Sequence, residues 1–224
     1  MDTARLQKLY LDDLTRMVRK GTVMRPRVRN PKKWKNLRTI LAEDVEDAKV
    51  ITPEDFDRTW VWSDLHFSHK NIIKYSNRPF GDVQHMNESL IRNFNSVVGP
   101  DDISIWVGDV TFGSDQQANQ LLSKCPGYKI LIVGNHDFDK KQLKDLYFDE
   151  IHLMYFSEHD GTSLVFTHYP MGNLPRKHIN VHGHLHVGHA HLYGPPTHLN
   201  VNCEFHNYTP ISLTEVFKIV KEFS

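Results

Sequence analysis

Cysteine is scarce in this chain: Cys125 and Cys203 are the only two in 224 residues, and neither belongs to a Cys-x-x-Cys pair. That excludes a disulfide framework and a thiolate zinc site, and leaves both as small residues suited to a core. Long apolar runs are missing too. No stretch approaches the roughly 18 residues of a membrane-spanning helix, and the start, MDTARLQKLYLDDLTR, lacks the short apolar segment of a secretory signal. A cytoplasmic location with no membrane partner is the expectation. Internal repeats and low-complexity tracts are absent, and 39% hydrophobic residues suffice for the core of one domain of fair size.

Net charge is zero, with 27 Lys plus Arg against 27 Asp plus Glu, but the balance hides a local asymmetry. From Leu14 to Ala42 there is no acid, while Arg16, Arg19, Lys20, Arg25, Arg27, Arg29, Lys32, Lys33, Lys35 and Arg38 all fall there; acids then dominate from Glu43 to Asp57. Leu6, Leu9, Tyr10, Leu14 and Met17 follow a helical stripe that Gly21 ends, so residues 1–57 read as an extension with a short helix, ahead of a body at 58–224. A basic arm can track the phosphates of nucleic acid. The favoured reading is a solvated segment paired with the neighbouring acids.

Within the body, TWVWS, ISIWV, YKILIV, SLVFT and INVH are short, rich in β-branched or aromatic residues and closed by polar residues or Gly, which predicts strands. Helical stripes fill the gaps. Met86, Leu90, Ile91, Phe94, Val97 and Val98 form one, stopped by Gly99-Pro100; Asp115 to Lys124 forms a weaker one, and another follows Asp139. Ser212 and Glu215 stand three apart, a capping box ahead of Val216, Phe217, Ile219 and Val220. Strands alternating with helices indicate an α/β architecture.

Histidine is abundant, at 15 residues, and its placement is informative. Five runs of metal-type ligands each follow an apolar strand: Asp64-Leu65-His66, Gly108-Asp109, Gly134-Asn135-His136-Asp137, Thr167-His168 and Gly183-His184-Leu185-His186. Ligands delivered from several strand ends can converge on one sheet edge. Alone, each run has a duller explanation: an N-cap Asp, a turn, a surface His. Asp109 offers two carboxylate oxygens and is the natural bridge between two cations, whereas Gly134 permits a sharp turn beside a neutral oxygen ligand, Asn135, and a proton donor, His136. His182, inside the INVH strand rather than beyond it, is expected to face away from the ligand histidines and to be structural. His189, His191, His198 and His206 carry no assignment, and Asp137 either orients His136 or caps the following helix.

In this order the runs resemble the calcineurin-like metallophosphoesterases, over about Trp60 to Glu215. SDLHFSHKNIIKYSNRPF, VGDVTFG, His168-Tyr169-Pro170 and NVNCEFHNYTPIS are most similar to small bacterial and phage members. The resemblance implies a four-layer α/β/β/α sandwich with mixed β-sheets. It also implies that Asp64, His66 and His186 hold one metal, Asn135, His168 and His184 a second, and that Asp109 bridges them. His136 would act on the scissile phosphate as general acid or transition-state stabiliser. Two divalent cations in such a centre lower the pKa of a shared water and clamp the phosphoryl oxygens. Manganese is the expected metal, while an oxygen and nitrogen donor set suits iron, zinc or nickel comparably.

Departures from the family pattern bear on substrate. Protein phosphatases of that superfamily carry Gly-Asp-x-x-Asp-Arg-Gly, but here Gly108-Asp109-Val110-Thr111-Phe112-Gly113 lacks both the second acid and the arginine. This argues against a phosphoprotein phosphatase and for a phosphodiester of nucleotide type. The alternatives are a small-molecule or protein phosphomonoester and, in another class, a non-catalytic metal-supported interaction scaffold. A replacement anion grip could come from Arg78, His69 or Asn71, with a structural salt bridge the equal alternative for Arg78.

Overall fold

A computed structural model describes residue 8 and residues 49–137, 146–159, 161–172, 174–186 and 197–222. The expected N-terminal helix, the basic arm and the helix after Asp139 lie outside the described residues, as do His189 and His191.

Among the described residues nine strands form two mixed sheets. The first has the order β4-β3-β2-β1-β9, built from β1 (Thr59–Trp62), β2 (Ile103–Trp106), β3 (Tyr128–Ile132), β4 (Glu150–His152) and β9 (Ile211–Ser212). The second has the order β5-β6-β7-β8, built from β5 (Tyr155–His159), β6 (Thr162–Thr167), β7 (His178–His182) and β8 (His198–Asn200). β1 through β4 run parallel, as do β6 through β8, while β9 and β5 close their sheets antiparallel. Parallel strands need crossovers, and three helices fill those of the first sheet: α1 (Ile72–Tyr75), α2 (Val83–Asn95) and α3 (Asp115–Leu122). A fourth, α4 (Leu213–Glu222), follows β9.

Side-chain alternation explains the layering. Val61, Ile103, Ile105, Ile130 and Ile132 point from the first sheet into a core shared with Leu164, Phe166, Ile179, Val181 and Leu199 of the second. Their neighbours Trp62, Trp106 and Leu131 face the other way, onto Met86, Leu90, Ile91 and Phe94 of α2 and Leu122 of α3. With both faces covered, β1, β2 and β3 read as continuous apolar runs. α2 begins where the Asp82 side chain accepts the His85 N–H, and it ends at Asn95, three residues before the last apolar position of its stripe. Its Phe94 packs on Trp62 at 5.0 Å and on Trp106 at 5.2 Å between ring centroids. Beyond the second sheet, Met154, Val165, Tyr169 and Met171 form a smaller cluster.

Residues just before β1 pack onto this body. Ile51 and Phe56 join the inter-sheet core, and Phe56 stacks on Phe217 of α4 at 5.0 Å. Both cysteines are buried and unpaired. Among the described residues no helix is long and apolar enough to cross a membrane.

Candidate functional site

The five ligand runs lie immediately beyond β1, β2, β3, β6 and β7, and the parallel register sets those strand ends side by side. The turns leaving them are tight. Asp64, His66, Asp109 and His184 all adopt positive φ, between 52° and 70°, a region that disfavours ordinary side chains and clusters at functional sites. Backbone pairing holds the strained turns: the N–H of Asp64 donates to Gly108 O, and that of His66 to Asp109 O, each at 3.0 Å. Gly183 is required by crowding, because a Cβ there would meet Asp64 Oδ2 at 2.3 Å.

Two donor groups result. In the first, Asp64 Oδ1 lies 3.6 Å from His186 Nε2 and 4.0 Å from His66 Nε2, and the two imidazole nitrogens are 3.2 Å apart. Asp64 Oδ2 is satisfied by Ser63 Oγ and by the N–H of His184, whereas Oδ1 is buried with no hydrogen-bond partner. A buried carboxylate oxygen left bare and aimed at two imidazole nitrogens is what a cation would complete. In the second group, Asn135 Oδ1 stands 3.1 Å from His168 Nε2 and 3.0 Å from His184 Nδ1, and Asp109 Oδ1 is 3.5 Å from His168 Nε2. His168 Nδ1 donates to Val107 O at 2.8 Å, which turns Nε2 inward.

Asp109 connects the groups. Its Oδ2 lies 3.8 Å from His66 Nε2 and 3.9 Å from His136 Nε2, and its Oδ1 accepts the backbone N–H of His136 at 2.8 Å. All seven expected ligands are thus brought together, and atoms of Asp64, His66 and His186, and of Asp109, His168 and His184, meet the spacing for a shared ion. The donors are oxygen and nitrogen only, a fit for a divalent cation of intermediate hardness.

Charge is arranged to match. Burial alone would raise the Asp109 carboxyl, but His168 and His66 hold it well below the usual carboxylate range. Burial opposes protonation of His168, yet Asp109 and Asp64 push it up to about 10. The field that favours a proton there favours any cation. His184, by contrast, is pushed down to about 3 by burial, which keeps its ring neutral and able to donate a lone pair.

The sequence leaves Arg78 between a substrate contact and a structural salt bridge, and the structure shows the salt bridge. Its side chain is buried, with Nε donating to Glu204 Oε1 at 2.9 Å, NH1 to Leu65 O at 2.8 Å and NH2 to Asp64 O at 2.7 Å. It is a strut under the first ligand run rather than an anion grip. His69 does stand at the site, with its ring 5.6 Å from that of His66 and 6.4 Å from that of His136. Asn71 is exposed at the start of α1, where its carbonyl accepts from the N–H groups of Lys74 and Tyr75. His182 lies on the outer side of β7, buried near His198, with Nδ1 donating to Gly183 O.

Glu204 and Asp137 carry roles the sequence did not disclose. Glu204 Oε1 accepts from His186 Nδ1 at 2.9 Å, which leaves Nε2 of that ring to face Asp64. The buried Asp137 carboxylate accepts the N–H of Asp109 at 2.8 Å, of Val110 at 3.0 Å and of Gly134 at 2.8 Å. It pins the Asp109 turn to the Asn135 turn, where the sequence suggested service to His136 or to a helix end. Asp137 stands in a ligand run but turns back onto the backbone, and Glu204 lies outside every run.

A family model described as calcineurin-like phosphoesterase matches residues 58–222. An uncharacterized protein of Methanocaldococcus jannaschii is 32% identical over 173 residues, which are 74% of this chain and 92% of that protein. The Gene 66 protein of Mycobacterium phage L5 is 42% identical over 83 residues, 35% of this chain and 39% of its own length. Among solved structures, a protein of unknown function from Aquifex aeolicus superposes with a TM-score of 0.56 at 29% identity, covering 72% of this chain and 98% of that one. The chain belongs to the calcineurin-like phosphoesterases and is a metal-dependent hydrolase of phosphoric esters.

Proposed function

We propose that the enzyme hydrolyses a phosphodiester of nucleotide type, with two divalent cations held by Asp64, His66 and His186 on one side and by Asn135, His168 and His184 on the other, Asp109 serving both. Manganese is the proposed metal. The observation that carries the two-cation reading is the pair of donor groups joined through Asp109, with the bare Asp64 Oδ1 at the heart of one of them. When bound, such cations supply an acidified water and neutralise charge on phosphoryl oxygens.

The chain's own side chains do the rest. His136 is partly exposed, and its Nε2 stands beside Asp109 Oδ2 at 3.9 Å, close enough to reach a phosphate seated over the two groups. Its role is to deliver a proton from Nε2 to the leaving oxygen, worth about 10²–10⁴-fold. Asp109 fixes the start of that turn by accepting the His136 N–H. Glu204 and Asp137 keep His186 and the Asp109 turn in place.

Diester preference is supported by the fate of Arg78. A monoester dianion carries about one more negative charge than a diester and rewards a bidentate guanidinium. The Arg78 guanidinium is engaged by Glu204 and two carbonyls instead. With Mn²⁺ in matched excess, kcat/KM on bis-p-nitrophenyl phosphate should exceed that on p-nitrophenyl phosphate. The reverse order would assign the site to monoesters.

A further inference from the structure

We propose that the solvent-facing side of the Phe112 ring is the seat for a flat heterocycle of the substrate, a nucleobase, with His69 as its backing. This rests on the reading of the adjoining site as one for nucleotide phosphates.

Four large hydrophobic side chains are exposed among the described residues, and two of them, Phe112 at 50% and Tyr75 at 75%, flank His69. A lone exposed ring is ordinary, but two beside one histidine at the candidate site form a patch that a ligand can cover. Phe112 lies nearly parallel to His69, with centroids 4.0 Å apart and planes 12° from each other, so one face of the ring is already occupied. The proposed seat is the opposite face. The centroid of the same ring is 5.2 Å from that of His136, the residue proposed to act on the phosphate. A nucleobase stacked on the open face would therefore lie beside a phosphate held over the metal donors.

The ring is also fixed in advance. The N–H of Phe112 donates to Phe67 O at 2.8 Å, Thr111 Oγ1 donates to the same carbonyl at 3.3 Å, and Phe67 and Thr111 are both buried. Phe112 is thus held three residues beyond Asp109 on a pinned turn, so little ordering is lost when a ligand stacks on it. Stacking is tolerant of base identity, because every base presents a π-face, and its loss on alanine substitution corresponds to about tenfold in affinity. The predicted specificity is for a base over none, with weak discrimination among bases.

The test is equilibrium binding of AMP and of ribose 5-phosphate to the full-length protein in Mn²⁺. Wild type should prefer AMP by about tenfold. The preference should fall close to one in Phe112→Ala and in Phe112→Leu, which keeps bulk without a flat ring, and persist in Phe112→Trp. Equal wild-type affinities for the two ligands, or an undiminished preference in Phe112→Leu, would overturn the proposal. Turnover of thymidine 5′-(p-nitrophenyl phosphate) is measured alongside. A wild type that binds AMP preferentially but turns over no phosphoester keeps the base seat and removes the hydrolytic reading.

Discussion

Glu204 Oε1 is shared between Arg78 Nε and His186 Nδ1, each at 2.9 Å. One carboxylate oxygen thereby ties the buried strut beneath Asp64 to an imidazole of the first donor group. Burial raises the Glu204 carboxyl, but His186 and Arg78 together bring it below the ordinary carboxylate value, so the group is anionic where it touches both.

On the proposed role of His186, removing that charge weakens metal binding. Glu204→Gln should lower Mn²⁺ affinity by about 10–100-fold, as read by calorimetric titration of chelator-stripped protein. Unchanged affinity would mean that Glu204 serves Arg78 alone.

Arg78→Met tests the strut directly. Removing one partner of a buried, hydrogen-bonded pair leaves Glu204 and the Asp64 and Leu65 carbonyls without their donor, a loss of about 3–5 kcal/mol. Urea unfolding measures it. A variant of wild-type stability whose KM alone rises would restore Arg78 as a phosphate ligand.

A third expectation lies away from the site. Glu150 Oε1 accepts from the N–H of Lys49 at 2.9 Å and from Tyr128 OH at 2.8 Å, and Oε2 pairs with His152 Nε2 at 2.6 Å. Burial pushes its carboxyl up, but the hydrogen bonds from His152, Tyr128 and Lys49 outweigh it and leave the pKa lowered from 4.5. A depressed carboxyl stabilises the fold above the unfolded value and loses that contribution as pH falls through the folded one. The stability gap between wild type and Glu150→Gln should accordingly be full at pH 7 and shrink below about pH 4, in urea melts at each pH. A gap that widens on acidification would reverse the sign.

What the sequence disclosed follows from locality. β1, β2 and β3 are buried on both faces and therefore spell themselves out as apolar runs, and the ligands stand within a few residues of the strand ends that deliver them. β4, β5, β8 and β9 were not legible. They are two to five residues long, partly polar and lie at or near sheet edges, where Glu150, Glu158 and His198 replace a hydrophobic signal. Arg78 is ambiguous in sequence for a related reason: a guanidinium near the first ligands looks the same whether it faces phosphate or a carboxylate 126 residues away. Glu204, the carboxylate that engages it, and the Asp137 bonds to Asp109 and Val110 act through tertiary contacts, which no spacing rule encodes.

The central claim is that the joined donor groups hold two cations and that His136 works on the substrate rather than on the metal. Metal content by elemental analysis, taken with bis-p-nitrophenyl phosphate turnover on the same Mn²⁺-reloaded samples, tests it most directly. Wild type should carry two ions per chain and lose all activity on stripping. His136→Ala should keep both ions while kcat falls about 10²–10⁴-fold, and Asp109→Asn should lose metal and activity together. Full activity in stripped wild type, or loss of metal from His136→Ala equal to that from Asp109→Asn, would contradict the account.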